Sequence, residues 1–423
     1  MEPRGWPGVV YHEGGIEHRL PTEVDRNRKG PAGKYGPGFL NPAMAGNRTR
    51  SVLMLQHIGN SVFADVKKIQ ILDALCATGI RTRRWLEETS SEVSDRLRIK
   101  MCDMDEEALG WAKANLKNDI LEKNVVVVRG DARKEILKQG WHWIDLDPYG
   151  SPVPFLDLAM QATARKSVIS ISATDTAALS GSSPGPLRRR YGASVHMDGL
   201  KHDSGLRVLL ASAARAAARH DRVIRPLLSI WDSHHLRITI LVERSKLGAS
   251  AVEENLGWRV ASPDDSVVYS AIQAGLLPEH DSGSRPMHVM LPLSEYPNLK
   301  TGVSGPLWTG QIGDSDVMAS MSEAAAVKIC KADDSVMSLK EVRRAKRAVR
   351  RIHDEGKVIH GSHLVITDAL PRFVGEGDPP SPSKMAEALR KAGFSAEVSR
   401  YAEPSFRTDA PWSAVLKTFR GLP

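Results

Sequence analysis

Two aspartates, two residues apart, open the stretch 145-DLDPYGSP-152, and a proline, an aromatic, a glycine and a Ser-Pro pair follow them. A carboxylate beside a proline carbonyl suits one kind of task. An exocyclic amine on an aromatic or amide-like ring is a poor nucleophile because its lone pair is delocalised. An enzyme must therefore hold its N–H bonds and aim that pair at an electrophile. Asp147 and the Pro148 carbonyl can accept those N–H bonds, the carboxylate can take the departing proton, and Tyr149 can stack on the base. Asp145 lies on the same side of a strand as Asp147 and can orient it. Trp143, Ile144 and Leu146 read as the end of a buried strand, and Pro148 and Pro152 have no amide to continue one. The corner thus falls at a strand's carboxyl end, where open α/β sheets take their ligands.

Three further strand ends carry a nucleotide-site pattern. In 73-DALCATGIR-81 an acidic strand end is followed by small residues and Gly79, which lets backbone amides approach a ligand before a helix opens. In 102-CDMDEE-107, Asp103 ends the next strand, where a carboxylate can accept both ribose hydroxyls of a nucleoside. In 129-RGDA-132, Asp131 and the Ala132 amide are offered to an adenine edge. Each of these residues also reads as an ordinary helix cap. On successive strands they favour an adenosine-containing cofactor without a diphosphate cradle, which suits S-adenosylmethionine better than NAD. A nicotinamide enzyme is further disfavoured by the missing GxGxxG.

The elements that position these residues alternate. A helix over 51–68 precedes a strand at 69–75, a helix from about 80, a strand near 97–103, a helix over 105–118, a strand at 125–131 and the strand ending at Asp147. This order predicts an α/β fold with a doubly wound parallel sheet. Residues 1–50, rich in Gly, Pro and charge, read as an arm packing on that domain, with 30-GPAGKYGPG-38 as a mobile loop. The second half, with shorter apolar runs, reads as a separate α/β domain over 246–423, after a first domain over 51–245.

The 423-residue chain is long enough for two or three cores. It has no run of eighteen or more apolar residues and no apolar signal core near Met1, so a cytoplasmic protein with no membrane contact is expected. Cys76, Cys102 and Cys330 show no CxxC spacing, which argues against disulfides and a structural metal site. The net charge of +8 lies in the first half and points to a polyanionic partner. In the second half, 339-LKEVRRAKRAVRRIHDE-355 reads as one helix with an apolar face and a basic face. From residues alone the substrate stays open between an RNA, a DNA and a protein amide. A non-catalytic RNA-binding protein on the same fold is the rival of another class.

The Asp147 corner resembles the Asp/Asn-Pro-Pro-aromatic corner of amine-directed methyltransferases, with a single proline. Taken with 39-FLNPAMAGNR-48, 72-LDALCATGIR-81, 145-DLDPYGSP-152, 175-DTAALSG-181, 189-RRYGA-193, 205-GLRVLLASAARAAARHDRVIRPLLS-229 and 405-SFRTDAP-411, the chain resembles the tRNA (guanine(26)-N(2))-dimethyltransferase family. The resemblance implies a class I S-adenosylmethionine-dependent, Rossmann-like methyltransferase domain followed by a family-specific α/β C-terminal domain that helps hold tRNA. It implies two methyl transfers to the guanine 2-amino group.

By matched motif, Asp147 and Pro148 are the catalytic corner. Arg48 and Arg81 line the pocket of the methionine carboxylate, Asp103 holds the ribose, and Asp131 and Ala132 meet the adenine. Phe39 and Tyr149 sandwich a flipped guanine, because a 2-amino group in a paired stem lies too deep in the minor groove for a cleft to reach. Arg188, Arg189 and Arg190 are placed to meet phosphates near the target, and Arg343, Arg347 and Arg350 to meet the tRNA backbone. Lys201, Arg207, Arg215, Arg219, Arg222 and Arg225 extend the basic set. Leu40 stands where relatives carry a tyrosine, and the cysteines that some members carry early in the C-terminal domain are missing from 245–305, so no metal is expected. The sequence shows no protein partner.

Overall fold

The computed structural model describes residues 2–25, 40–122, 124–232, 234–278, 285–297, 301–330 and 336–422. Two units emerge, one formed by Met1–Thr174 with Ser320–Arg350 and the other by Asp175–Ala319 with Arg351–Pro423.

The first unit opens with an antiparallel hairpin, β1 (Val9–Glu13) and β2 (Ile16–Leu20). Tyr11, Glu13, Ile16, His18 and Leu20 point inward and are buried, a period of two carried across the Gly14-Gly15 turn. The sheet follows, with β3 (Ile69–Asp73), β4 (Leu97–Asp103), β5 (Val125–Arg129), β6 (Trp141–Leu146) and β7 (Thr163–Ala173). Their spatial order is β5-β4-β3-β6-β7, every neighbouring pair parallel. Apolar, β-branched runs without internal proline suit strands covered on both faces, and helices Ile80–Glu88, Glu106–Asn115, Ala132–Ile136 and Val153–Gln161 supply the crossovers. The order reverses between β3 and β6, so their carboxyl ends frame the sheet's switch point. Trp143 of β6 is fully buried and meets Trp85 edge to face at 6.2 Å, anchoring the central strand to the helix that follows β3.

Two elements differ from the sequence reading. The helix expected over 51–68 spans Ala45–Asn60, and a single 3-10 turn, Pro42–Met44, leads into it. The reason is local: Asn41 accepts from the Ala43 amide at 3.0 Å and Pro42 sits at the first turn, so chain ordering starts early. The basic segment 339–355 is two helices, Val336–Val349 and Ile352–Gly356, because Arg351 takes a left-handed conformation at φ 67° between them. The first of these belongs to the first unit and packs along Ala45–Asn60, where Arg50 donates to the Ala348 carbonyl at 2.8 Å. The loop 30–38 lies outside the described residues.

The second unit contains the antiparallel pair β8 (Arg222–Asp232) and β9 (His235–Arg244), packed under the long helix Lys201–Ala218. Two three-stranded sheets complete it. In one, β10 (Leu256–Ala261) runs between β11 (His288–Pro292) and β12 (Val303–Trp308); in the other, β15 (Ser405–Thr408) runs between β13 (His363–Ile366) and β14 (Ala396–Val398). Helices Pro382–Lys391 and Trp412–Arg420 close the last sheet over a core that includes Leu389, Phe406, Trp412 and Phe419. No described helix is long and apolar enough to cross a membrane.

Candidate active site

The carboxyl ends of β3, β4, β6 and β7 meet at one cavity of about 230 Å³ in the first unit. Its wall brings together Arg48, Arg81, Asp103, Asp147, Pro148 and Tyr149 of the residues expected from the sequence, and adds Asn41, Asp73, Thr78 and Thr174.

Each side chain is delivered by its element. After β3 the chain turns through Ala77 at φ 46° and Gly79 at φ 77°, and Gly79 caps helix Ile80–Glu88. A Cβ at Gly79 would lie 2.5 Å from Met101 Cε and 3.0 Å from Leu116 Cδ1, and the positive φ adds backbone strain, so the turn favours glycine. Asp103 is fixed by two backbone amides, Ala77 N–H to Oδ2 at 2.8 Å and Asp105 N–H to Oδ1 at 3.0 Å, which ties the ends of β3 and β4 together. The Asp147-Pro148-Tyr149-Gly150 corner is strapped to the end of β7. Gly150, at φ 82°, donates to Thr174 Oγ1 at 2.6 Å, and its carbonyl accepts from the Thr174 amide at 2.9 Å. Tyr149 remains 53% exposed at the rim, open enough for its ring to receive a partner.

The electrostatics centre on Arg81. Its Nη2 donates to Asp147 Oδ2 at 2.5 Å, its Nη1 to Asn47 Oδ1 at 2.9 Å, and its Nε stands 3.5 Å from Asp145 Oδ1. Burial opposes its charge, but Asp145, Asp147 and Asp73 together keep it firmly protonated. Asp73 lies beside Asp145 in the β3–β6 register and accepts from Thr82 Oγ1 at 2.8 Å. Burial, then the Asp145 charge, push its carboxyl up to about 7 against the pull of Arg81. Arg48 is buried too, held by Glu13 through Nε and Nη2 at 2.6 Å each.

Other expected residues fall elsewhere. Asp131 and Ala132 start helix Ala132–Ile136 beyond β5 and are not part of the cavity wall; Asp131 caps that helix and binds Arg133 at 2.5 Å. Phe39 lies outside the described residues. Arg188, Arg189 and Arg190 are exposed on helix Pro184–Tyr191 of the second unit, where Arg190 pairs with Asp175 at 3.1 Å. Arg343, Arg347 and Arg350 are exposed along one side of the Val336–Val349 segment in the first unit. Arg207 and Arg225 of the wider basic set are held by partners. Arg207 is buried against Asp203 and the Trp308 and Gly310 carbonyls, and Arg225 pairs with Asp314.

A strand-order switch point carrying this acidic and cationic lining is matched at the level of sequence. Residues 22–420 fit the family model described as N2,N2-dimethylguanosine tRNA methyltransferase. The chain belongs to that family. The tRNA (guanine(26)-N(2))-dimethyltransferase of Thermococcus kodakarensis is 28% identical over 402 residues, covering 91% of this chain and 94% of the relative. The protein of the same name from Thermoplasma acidophilum is 32% identical over 251 residues, 59% of this chain and 67% of its own. In fold, the chain matches the solved structure of Trm1 from Pyrococcus horikoshii in complex with S-adenosyl-L-methionine. The TM-score is 0.72 with 23% identity, covering 97% of this chain and 99% of that one. The fold is therefore that of a class I methyltransferase with additional C-terminal sheets.

The cavity of this dimethylguanosine methyltransferase fits a sulfonium nucleoside with an amino-acid end. The guanidinium groups of Arg48 and Arg81 and the carboxylate of Asp103 line it, and the buried Thr78 Oγ1 has no hydrogen-bond partner among the described residues although its residue lines the wall. No group of three or more His, Cys, Asp or Glu suited to a metal occurs among the described residues. The sequence alone pointed to neither Glu13 nor Thr78. The signal for Glu13 was the period-two pattern across Gly14-Gly15, masked because its inward positions include an acid and a histidine. Thr78 carried no signal.

Proposed function

We propose that this chain transfers methyl groups from S-adenosylmethionine to the 2-amino group of guanine at position 26 of tRNA, giving N(2)-methyl- and then N(2),N(2)-dimethylguanosine. The observation that carries the reading is Asp147 on the cavity wall, one carboxylate oxygen held by Arg81, with Pro148 on the same wall. The cofactor supplies an electrophilic methyl on a positively charged sulfur.

The chain's own residues do the rest. Asp147 and the Pro148 carbonyl accept the two N–H bonds of the amine, which turns its lone pair toward the methyl donor, and Asp147 takes the proton that the amine loses. Arg81 holds Asp147 through Oδ2, and Oδ1 takes the amine. After one transfer a single N–H remains, and Asp147 is again its acceptor. Tyr149, exposed at the rim, stacks on the extruded guanine, with Phe39 as the second face of the sandwich. Arg48 and Arg81 lie on the methionine side of the cofactor, Asp103 binds the ribose, and Asp131 and Ala132, beyond the cavity wall after β5, meet the adenine where the cofactor extends past that wall. Arg188, Arg189, Arg190, Arg343, Arg347 and Arg350 contact tRNA phosphates.

The test is methyl transfer from labelled S-adenosylmethionine to unmodified tRNA transcripts, with the product nucleoside identified by mass. Wild-type protein should yield N(2)-methylated guanosine at position 26, and Asp147→Ala should lower the rate by about 10²- to 10⁴-fold with cofactor binding intact. Methylation at another atom or another position, or an Asp147→Ala variant of undiminished rate, refutes the reading.

A further inference from the structure

Arg48 carries a charge into a nearly closed site, being 6% exposed on the cavity wall. Burying a guanidinium without a partner is costly, and one that must meet a ligand also needs a fixed plane. Both needs are met by Glu13, at the end of β1. Arg48 Nε donates to Glu13 Oε1 and Nη2 to Oε2, each at 2.6 Å, the paired geometry that locks a guanidinium in orientation. Nη2 also reaches the Asn41 carbonyl at 3.1 Å. Among the described residues, Nη1 has no such bond.

Glu13 is itself anchored. It is fully buried, it accepts from Arg84 Nη1 at 3.1 Å and from the Tyr11 hydroxyl at 3.3 Å, and Arg84 is shared with Glu88. Burial works against its ionisation, but Arg48, Arg84 and Arg344 outweigh it and hold the carboxyl at about 2. The hairpin turn behind it is clamped as well: the Gly15 amide donates to Glu88 Oε1 at 2.8 Å, and a Cβ at Gly14 would lie 2.2 Å from that same oxygen. A flexible arm would not be built so tightly around an acid that touches a cavity-wall arginine.

We propose that Glu13 is a positioning residue of the cofactor site: it fixes the plane of Arg48 so that Nη1 is the nitrogen offered to the methionine carboxylate. This rests on the reading that the cavity takes S-adenosylmethionine. It assigns the hairpin a duty in cofactor selection and not only in packing.

The experiment compares two probes by calorimetry on the full chain. S-adenosylmethionine has the amino-acid end; 5′-methylthioadenosine keeps the adenosine and the sulfur but lacks that end. In Glu13→Gln the dissociation constant for S-adenosylmethionine should rise tenfold or more while that for 5′-methylthioadenosine stays within about twofold. Arg48→Gln should give the same selective loss, and the double variant should lose no more than either single one. Should Glu13→Gln fail to fold, Glu13→Asp, which keeps the charge but withdraws it by one methylene, is read by the same ratio. An unchanged ratio in a folded Glu13 variant, or equal weakening of both probes, overturns the proposal and leaves the proposed reaction standing. Wild-type protein that binds neither probe overturns the cofactor reading of the cavity instead.

Discussion

Asp73 is nearly enclosed and faces Asp145, Arg81, Asp147 and the Thr82 hydroxyl, and its carboxyl is raised by burial and by Asp145 to about 7. Its folded value lies above that of the unfolded chain, near 3.8, so the folded state holds the extra proton. Its contribution to stability is therefore complete at low pH and declines as pH rises from about 4 to about 7. Glu13, depressed to about 2, and His18, depressed to about 3 mainly by burial, work with the opposite sign and lose their contributions as pH falls. A difference measurement isolates Asp73. The stability of Asp73→Asn minus that of wild type, from urea melts of the ligand-free protein, should increase between about pH 4 and pH 7 and stay level above it. A flat difference would place the proton elsewhere. At this scale the sequence was legible for place: Asp103, Asp147 and Tyr149, read at strand ends, do line one cavity. It was opaque for Glu13, because a buried acid inside a glycine-rich segment looks like any solvated one until its arginine is found 35 residues away.

The parallel strands were readable because apolar runs, each ending on an acid or a turn, are what a doubly covered sheet requires. The start of helix Ala45–Asn60 was misplaced because its signal, Asn41-Pro42, reads equally well as a loop. No glycine or proline announces the break at Arg351, which left 339–355 looking continuous. The turn from β3 into helix Ile80–Glu88 is where element geometry and site meet. Gly79→Ala should destabilise the first unit by about 1–3 kcal/mol, combining a left-handed backbone with the close approach to Met101, and should weaken cofactor binding because Ala77 and Asp103 move with the turn. Chemical denaturation with calorimetric titration would check both, and an unaltered midpoint would show that the turn yields at no cost.

Across the molecule, positive charge is divided: Arg188, Arg189 and Arg190 belong to the second unit, while Arg343, Arg347 and Arg350 belong to the first. If the latter three touch phosphates, replacing them with alanine weakens every tRNA alike and lowers the slope of log affinity against log salt by about one per contact. Unchanged salt dependence would return them to ordinary surface residues. The chain path has a further consequence. The first unit is interrupted at Thr174 and completed only by Ser320–Arg350, whose Glu341 receives the Gly14 amide and whose Arg344 reaches the Pro42 carbonyl. During synthesis, the opening hairpin therefore waits for residues made more than three hundred positions later. The half of the protein that carries the cavity cannot be completed until residue 350 has been made, and a half-made chain presents tRNA with an incomplete enzyme.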